Sequence, residues 1–260
     1  MGNGKNHEDH HYTREGKIDL KKVQTSLVDS AYEIIKHKIL SLDLLPGQII
    51  SDFTLYKELE MSRTPIKQAL LYLKSDGLIQ ERDGRGYEVR KITEKDIGDL
   101  FDAREGIECT ALKIAMNKGI SASVIQHIQY MNEAVIAANE RKDYEKVFDH
   151  DSELHVGLIK ASGNTRLIEY YSMILLQLRR MRLLTYFEKE LPKEAVIEHT
   201  VIFNAIIEKN EKLALEALSR HILGTKQNYI KILRNSIKND GDFIALKYLI
   251  DNNLQIENIN

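Results

Sequence analysis

Asp151 and His155 stand four residues apart, so on a helix they share one face, and Phe148 and Leu158 make the rest of that stripe apolar. His199 falls in the stripe His199, Ile202, Phe203, Ile206, and His221 in the stripe Ala214, Ala217, Leu218, His221. Three helical segments therefore each turn ionisable groups towards a core, where an unpaired polar group is costly. One carboxylate and three imidazoles that converge would make a site for a divalent transition metal, zinc first, with nickel or manganese compatible. The competing reading is that each histidine is a satisfied core residue. Four such residues on apolar stripes at once favour the metal.

Two arginines have comparable placements. Arg104 lies in the stripe Ile97, Leu100, Phe101, Arg104, Ala111 and faces the same core. A buried guanidinium needs an anion, and two are available: Glu108 four residues on, or a carboxylate ligand clamped between Arg104 and the metal. Arg182, on the stripe Ile168, Tyr171, Leu175, Leu178, is a second candidate, although the run Arg179-Arg180-Met181-Arg182 equally reads as a solvated face.

The elements that must position these groups are helical throughout. From Thr93, a helix cap, to about residue 238 there is no strand pattern and one proline, Pro192. The expected helices are 94–117, 121–140, 143–161, 164–187, 192–209 and 211–237. Their short connections imply an antiparallel bundle of six helices, or seven if Phe243 to Leu249 adds a short one. The expected fold class is mainly α: an N-terminal winged helix-turn-helix followed by that bundle.

The N-terminal part has its own pattern. Ser62 is a good helix cap, Pro65 sits in a first turn that does not need its N–H, and Ile66, Ala69, Leu70 and Leu73 form a buried stripe. Arg63, Thr64, Lys67 and Gln68 fall on the opposite flank, which suits a helix that reads the major groove. Upstream lie an amphipathic helix from Ala31 to Leu40, the turn Leu45-Pro46-Gly47 and a short helix capped by Ser51 and Asp52. Downstream, Leu78–Gln80 and Tyr87–Val89 read as a two-stranded wing around Asp83-Gly84-Arg85-Gly86. Its Arg82 and Arg85 would reach phosphate, with Gly86 at the turn.

Residues 25–91 resemble the DNA-binding domain of the GntR superfamily of bacterial transcription regulators. The match rests on Leu45-Pro46-Gly47, Leu55 and Leu59, Ser62-Arg63-Thr64-Pro65, Ala69-Leu70, Leu73, Gly77-Leu78 and the Gly84-x-Gly86-Tyr87-x-Val89 wing. Departures are Asp52 for the usual glutamate, Lys67-Gln68 for Arg-Glu, and Glu60 for the glycine before the reading helix. Residues 98–234 resemble the FCD effector domain, whose metal motif is matched by Asp151, His155, His199 and His221, with Leu154 in place of a common phenylalanine. The resemblance implies a ligand-responsive regulator, expected to be a repressor, that binds a palindromic DNA operator as a homodimer. It also implies that a small carboxylate effector binds beside the metal, with Arg104 lining its pocket.

Composition sets outer limits. The 260 residues suit two domains: an arm at 1–24, the winged domain at 25–91, a linker at 92–98, the effector and dimerisation domain at 99–238 and a tail at 239–260. No apolar run approaches the ~18–20 residues that span a bilayer, and the first residues lack the apolar core of a signal peptide. A single cysteine, Cys109, excludes an internal disulfide and fits a reducing cytoplasm. The net charge of −2, with ten basic and ten acidic residues in 25–91, makes DNA affinity a matter of placed contacts. Two other classes compete: a hydrolase that uses an Asp/His3 metal to activate water, and a helical scaffold with structural zinc. The first lacks a general base beside the ligands, and both leave the wing signature unused.

Overall fold

The computed structural model describes residues 20–82, 86–182, 184 and 193–236. The first helix, α1 (Leu20–Leu40), starts inside the stretch read from sequence as an arm, and its buried stripe runs through Val28, Ala31, Ile35 and Ile39. Then come β1 (Ile49–Ile50), α2 (Asp52–Glu58), α3 (Arg63–Ser75), β2 (Ile79–Glu81) and β3 (Tyr87–Val89). The expected two-stranded wing is a three-stranded antiparallel sheet of order β1-β3-β2, with Ile49 opposite Glu88 and Gln80 opposite Glu88 on the other side. A two-residue strand has no alternation to read, which is why β1 escapes the sequence pattern.

Local chemistry explains the element ends. Ser51 caps α2 by accepting from the Thr54 amide at 3.2 Å. Ser62 occupies the cap position of α3 in extended backbone, but its hydroxyl makes no capping bond. Between these helices Glu60 sits at φ +52°, in the left-handed region that favours glycine. A side chain there costs about 1–2 kcal/mol, partly offset by the entropy glycine loses on folding. Glu60→Gly is therefore expected to raise stability by roughly 0.5–1 kcal/mol, seen as a higher urea midpoint at unchanged slope. A lower midpoint would show that the glutamate contributes something its backbone strain does not outweigh.

Six helices follow: α4 (Glu94–Lys118), α5 (Ala122–Glu140), α6 (Tyr144–Ala161), α7 (Thr165–Met181), α8 (Lys193–Ile207) and α9 (Glu211–Ser236). Thr93 and Asp96 form a reciprocal capping box at the start of α4. α4 packs against α6, α7 and α9, and α8 packs against α5 and α9. The expected helix over 164–187 closes at Met181. The tail segment Phe243 to Leu249 lies outside the described residues, as does the arm before Leu20.

The described residues form two principal cores. Ile35, Ile39, Ile66, Leu70, Leu73 and Leu78 fill the N-terminal one. Phe101, Leu112, Leu158, Leu218 and Ile222 are among those that fill the other. The two meet through exchanged side chains: Leu42 packs into the C-terminal core and Leu176 of α7 against the N-terminal one. Beside Leu176, Gln177 donates to the Asp76 carbonyl, and Arg180 Nη1 donates to the Arg90 carbonyl at 3.4 Å.

Candidate functional site

Asp151 and His155 come from α6, His199 from α8 and His221 from α9. One ligand atom from each of the four lies within 4.8 Å of every other. His199 Nε2 is 3.1 Å from His221 Nε2 and 3.1 Å from Asp151 Oδ1, and His155 Nε2 is 3.7 Å from the same oxygen. All three imidazoles are buried, at 0–2 % exposure, while the Asp151 side chain keeps 27 %. The site is thus closed by the bundle and accessible from the Asp151 side.

The far side of each ring decides which nitrogen is free. His155 Nδ1 donates to Glu108 Oε2 at 2.5 Å, and His221 Nδ1 donates to Glu198 Oε2 at 3.1 Å. A carboxylate on Nδ1 leaves Nε2 as the lone-pair atom, the tautomer a metal requires. His155 Nε2 is a buried nitrogen with no hydrogen-bond partner, an arrangement that costs free energy unless something occupies the centre. Three nitrogens and one carboxylate oxygen fit a divalent transition ion.

Glu108 is the hub beneath the centre. It is fully buried and also accepts from Arg104 Nε at 2.5 Å and from the Tyr171 hydroxyl at 2.9 Å. Burial disfavours its ionisation, yet Arg104 and then His155 outweigh that and hold the carboxyl down at about 2. Burial also pushes the Tyr171 hydroxyl well up, with Glu108 adding to the shift, so Tyr171 stays a donor. For Asp151, burial is likewise outweighed by His155 and His199, and the group stays ionised. Burial and then the His199 and His155 rings push His221 well down, so it stays neutral and able to ligate.

Of the two anions open to Arg104, the structure supplies Glu108. Arg182 is held by Glu145 at 3.2 Å and Asp149 at 3.3 Å, with its guanidinium over the Phe148 ring. Sequence reasoning misses Glu108 and Glu198 as the groups that orient His155 and His221. The signal for Glu198 is its place beside His199; for Glu108 there is only its spacing to Arg104.

At the other end of the molecule, Arg63, Thr64 and Lys67 are exposed at the start of α3, and Ser62 precedes them. Pro65, Ile66, Ala69 and Leu70 are buried on the opposite side. Arg82 is half-buried and paired with Glu88 at 3.3 Å, so its charge is largely committed within the wing. Gly86 turns the wing at φ +87°. Arg85 lies outside the described residues.

The family described as bacterial regulatory proteins, gntR family, matches residues 27–89, and the FCD domain family matches residues 99–224. The chain is a GntR-family regulator with an FCD domain. An uncharacterized HTH-type transcriptional regulator of an unstable DNA locus in Streptomyces ambofaciens is 27% identical over 191 residues, 74% of this chain and 80% of that protein. The HTH-type transcriptional repressor RspR of Escherichia coli K12 is 24% identical over 191 residues, 74% of this chain and 83% of that protein. E. coli McbR/YncC shares the fold at a TM-score of 0.65 and 17% identity, over 79% of this chain and 97% of that one. These relatives are regulators rather than enzymes, and GntR-family regulators bind DNA. Among the described residues no helix is long and apolar enough to cross a membrane.

Proposed function

We propose that this GntR-family protein is a cytoplasmic, metal-containing repressor that binds a palindromic operator as a homodimer and senses a small organic acid. The observation that carries the reading is the set of three buried imidazole nitrogens and one Asp151 oxygen, within 4.8 Å of one another, in a chain that also presents a basic helix end. Asp151, His155, His199 and His221 would hold the ion, with zinc as the best fit to this donor set. A bound ion would supply a Lewis-acidic anchor for an anionic effector. The residues of this chain do the rest. Glu108 and Glu198 fix two rings, Asp151 sits at the accessible side, and the Nη groups of Arg104, beyond the Nε that Glu108 holds, are the donors a carboxylate would meet. Arg182 is the outer contact, available to an acid that displaces Glu145 or Asp149.

On the DNA side, Arg63 is the base reader, with Ser62, Thr64, Lys67, Arg82, Arg85 and Gly86 as contacts to backbone or groove edges. One α3 covers only a few base pairs, so a two-fold dimer that reads two half-sites supplies the specificity. A hydrolase reading would need a free carboxylate as general base, whereas in the described site Glu108 is engaged by Arg104, His155 and Tyr171 and Glu198 by His221.

The test is metal analysis followed by thermal-shift measurements of zinc-loaded protein against small mono-, di- and hydroxycarboxylates. Ligand at ~100 times its dissociation constant adds about 2.7 kcal/mol, enough for a rise of several degrees. The rise is expected to vanish in His199→Ala and to weaken in Arg104→Lys, which keeps the charge but loses the fork. No shift with any acid, in protein that retains one zinc per chain, would leave the ion a structural role only.

A further inference from the structure

Where α2 meets the start of α3, four side chains form a continuous series. The Arg63 guanidinium lies over the Tyr56 ring, 5.0 Å from its centre, and its Nη2 donates to the Tyr56 hydroxyl at 3.3 Å. Tyr56 meets Phe53, three residues earlier on the same helix, in an edge-to-face pair at 5.1 Å and 82°. Lys57 Nζ lies over the Phe53 ring at 4.3 Å. Tyr56 is half-buried and packs on the N-terminal core, so it is the fixed member of the series. Arg63 and Lys57 are exposed, and Phe53 keeps 49 % of its surface in solvent.

The chemistry of each member suggests what it meets. A guanidinium has five donors, so one bond to Tyr56 leaves a pair free for the O6 and N7 atoms of guanine. Arginine loses rotamer freedom when it binds, and a fork already stacked and tethered loses less. An aromatic ring left in solvent on a surface whose partner is DNA has one apolar group to meet in the major groove, the 5-methyl group of thymine. Lys57, held over the same ring, has a charge that a neighbouring phosphate would meet.

We propose that Tyr56 is a positioning residue that sets the Arg63 fork, and that Phe53 is a specificity-determining residue that covers the methyl group of a thymine beside the guanine Arg63 reads. The proposal deepens the DNA-binding reading and rests on Arg63 as the base reader.

The experiment uses the full chain. Duplexes are selected from a randomised library by the unaltered protein, Arg63→Ala, Tyr56→Phe and Phe53→Ala. Each thymine of the recovered site is then replaced singly by deoxyuridine, which removes only the methyl group. For the unaltered protein, one uracil per half-site is expected to weaken binding about fourfold, the weight of one buried methyl group. The same replacement leaves Phe53→Ala unaffected. Tyr56→Phe, which keeps the ring and loses the hydroxyl, reduces discrimination at the neighbouring guanine by about fivefold, the worth of one hydrogen bond. It leaves the salt dependence as it was, which a general loss of folding would not. If guanine preference disappears in Arg63→Ala but no uracil matters, the thymine contact is overturned and the reading of Arg63 stands. An equal loss in Phe53→Ala overturns it too. If the unaltered protein selects no sequence, both fall together.

Discussion

Glu108→Ala is expected to destabilise the protein by about 3–5 kcal/mol, because it leaves the buried Arg104 guanidinium without its anion. In a chain of this size that corresponds to a fall of roughly 10 °C in melting temperature. The comparison belongs in the presence of a chelator, so that any change in metal affinity does not contribute. Three groups lose their partner at once: Arg104 Nε, His155 Nδ1 and the Tyr171 hydroxyl. Glu108→Gln keeps the shape but not the charge, and falls between. The double variant Arg104→Met with Glu108→Ala removes the unpaired charge as well as the acid, so it recovers part of the loss. A drop below about 1 kcal/mol in the single variant would mean that water reaches Arg104 when the acid is gone. In metal-loaded protein the same substitution costs about 10–100-fold in affinity, since His155 loses the carboxylate that fixes its tautomer.

Arg63→Ala is expected to remove most sequence discrimination from DNA binding. A bidentate arginine–guanine contact is worth about 1–3 kcal/mol, and the proposed two-fold dimer would make it twice, so specific affinity is expected to drop about a hundredfold or more. Non-specific binding, which rests on phosphate neutralisation, changes little. Lys67→Ala has the opposite signature: a uniform weakening across sequences, and a salt slope shallower by about one for each phosphate that goes without its lysine. An operator preference that survives Arg63→Ala would move base reading elsewhere in the domain.

The legible and illegible parts of this chain divide by sequence distance. Asp151 and His155 are four apart, and each other histidine sits on an apolar stripe, so periodicity alone puts these side chains inward. The inward stripes are separate statements about separate helices, and burial brings their ends within 4.8 Å. Glu108 shows the limit. Its spacing from Arg104 reads as a local ion pair, which it is, but its second oxygen meets His155, 47 residues away. No periodicity encodes that. Glu198 likewise reads as a polar neighbour of His199, yet it bonds the ring of His221 on the next helix. In the winged domain, Leu45-Pro46-Gly47 and the Ser62–Leu73 pattern fix the turn and reading helix, whereas β1 exists only because β3 pairs with it. A capping bond from the Ser62 hydroxyl is a sound expectation that the local geometry does not use.

α7 has a thermodynamic consequence. One uninterrupted helix bonds the Glu108 hub through Tyr171 and, nine residues later, bonds the Arg90 carbonyl through Arg180, a span of about 13.5 Å at 1.5 Å per residue. A rigid rod of that kind cannot be displaced at one end alone. On the function proposed above, any free energy with which an acid at the metal centre biased α7 would be felt at the winged domain, and the influence would run both ways. Operator DNA must then alter the acid's affinity by the factor with which the acid alters the operator's. On that reading the operator-bound protein would be a different receptor from the free one.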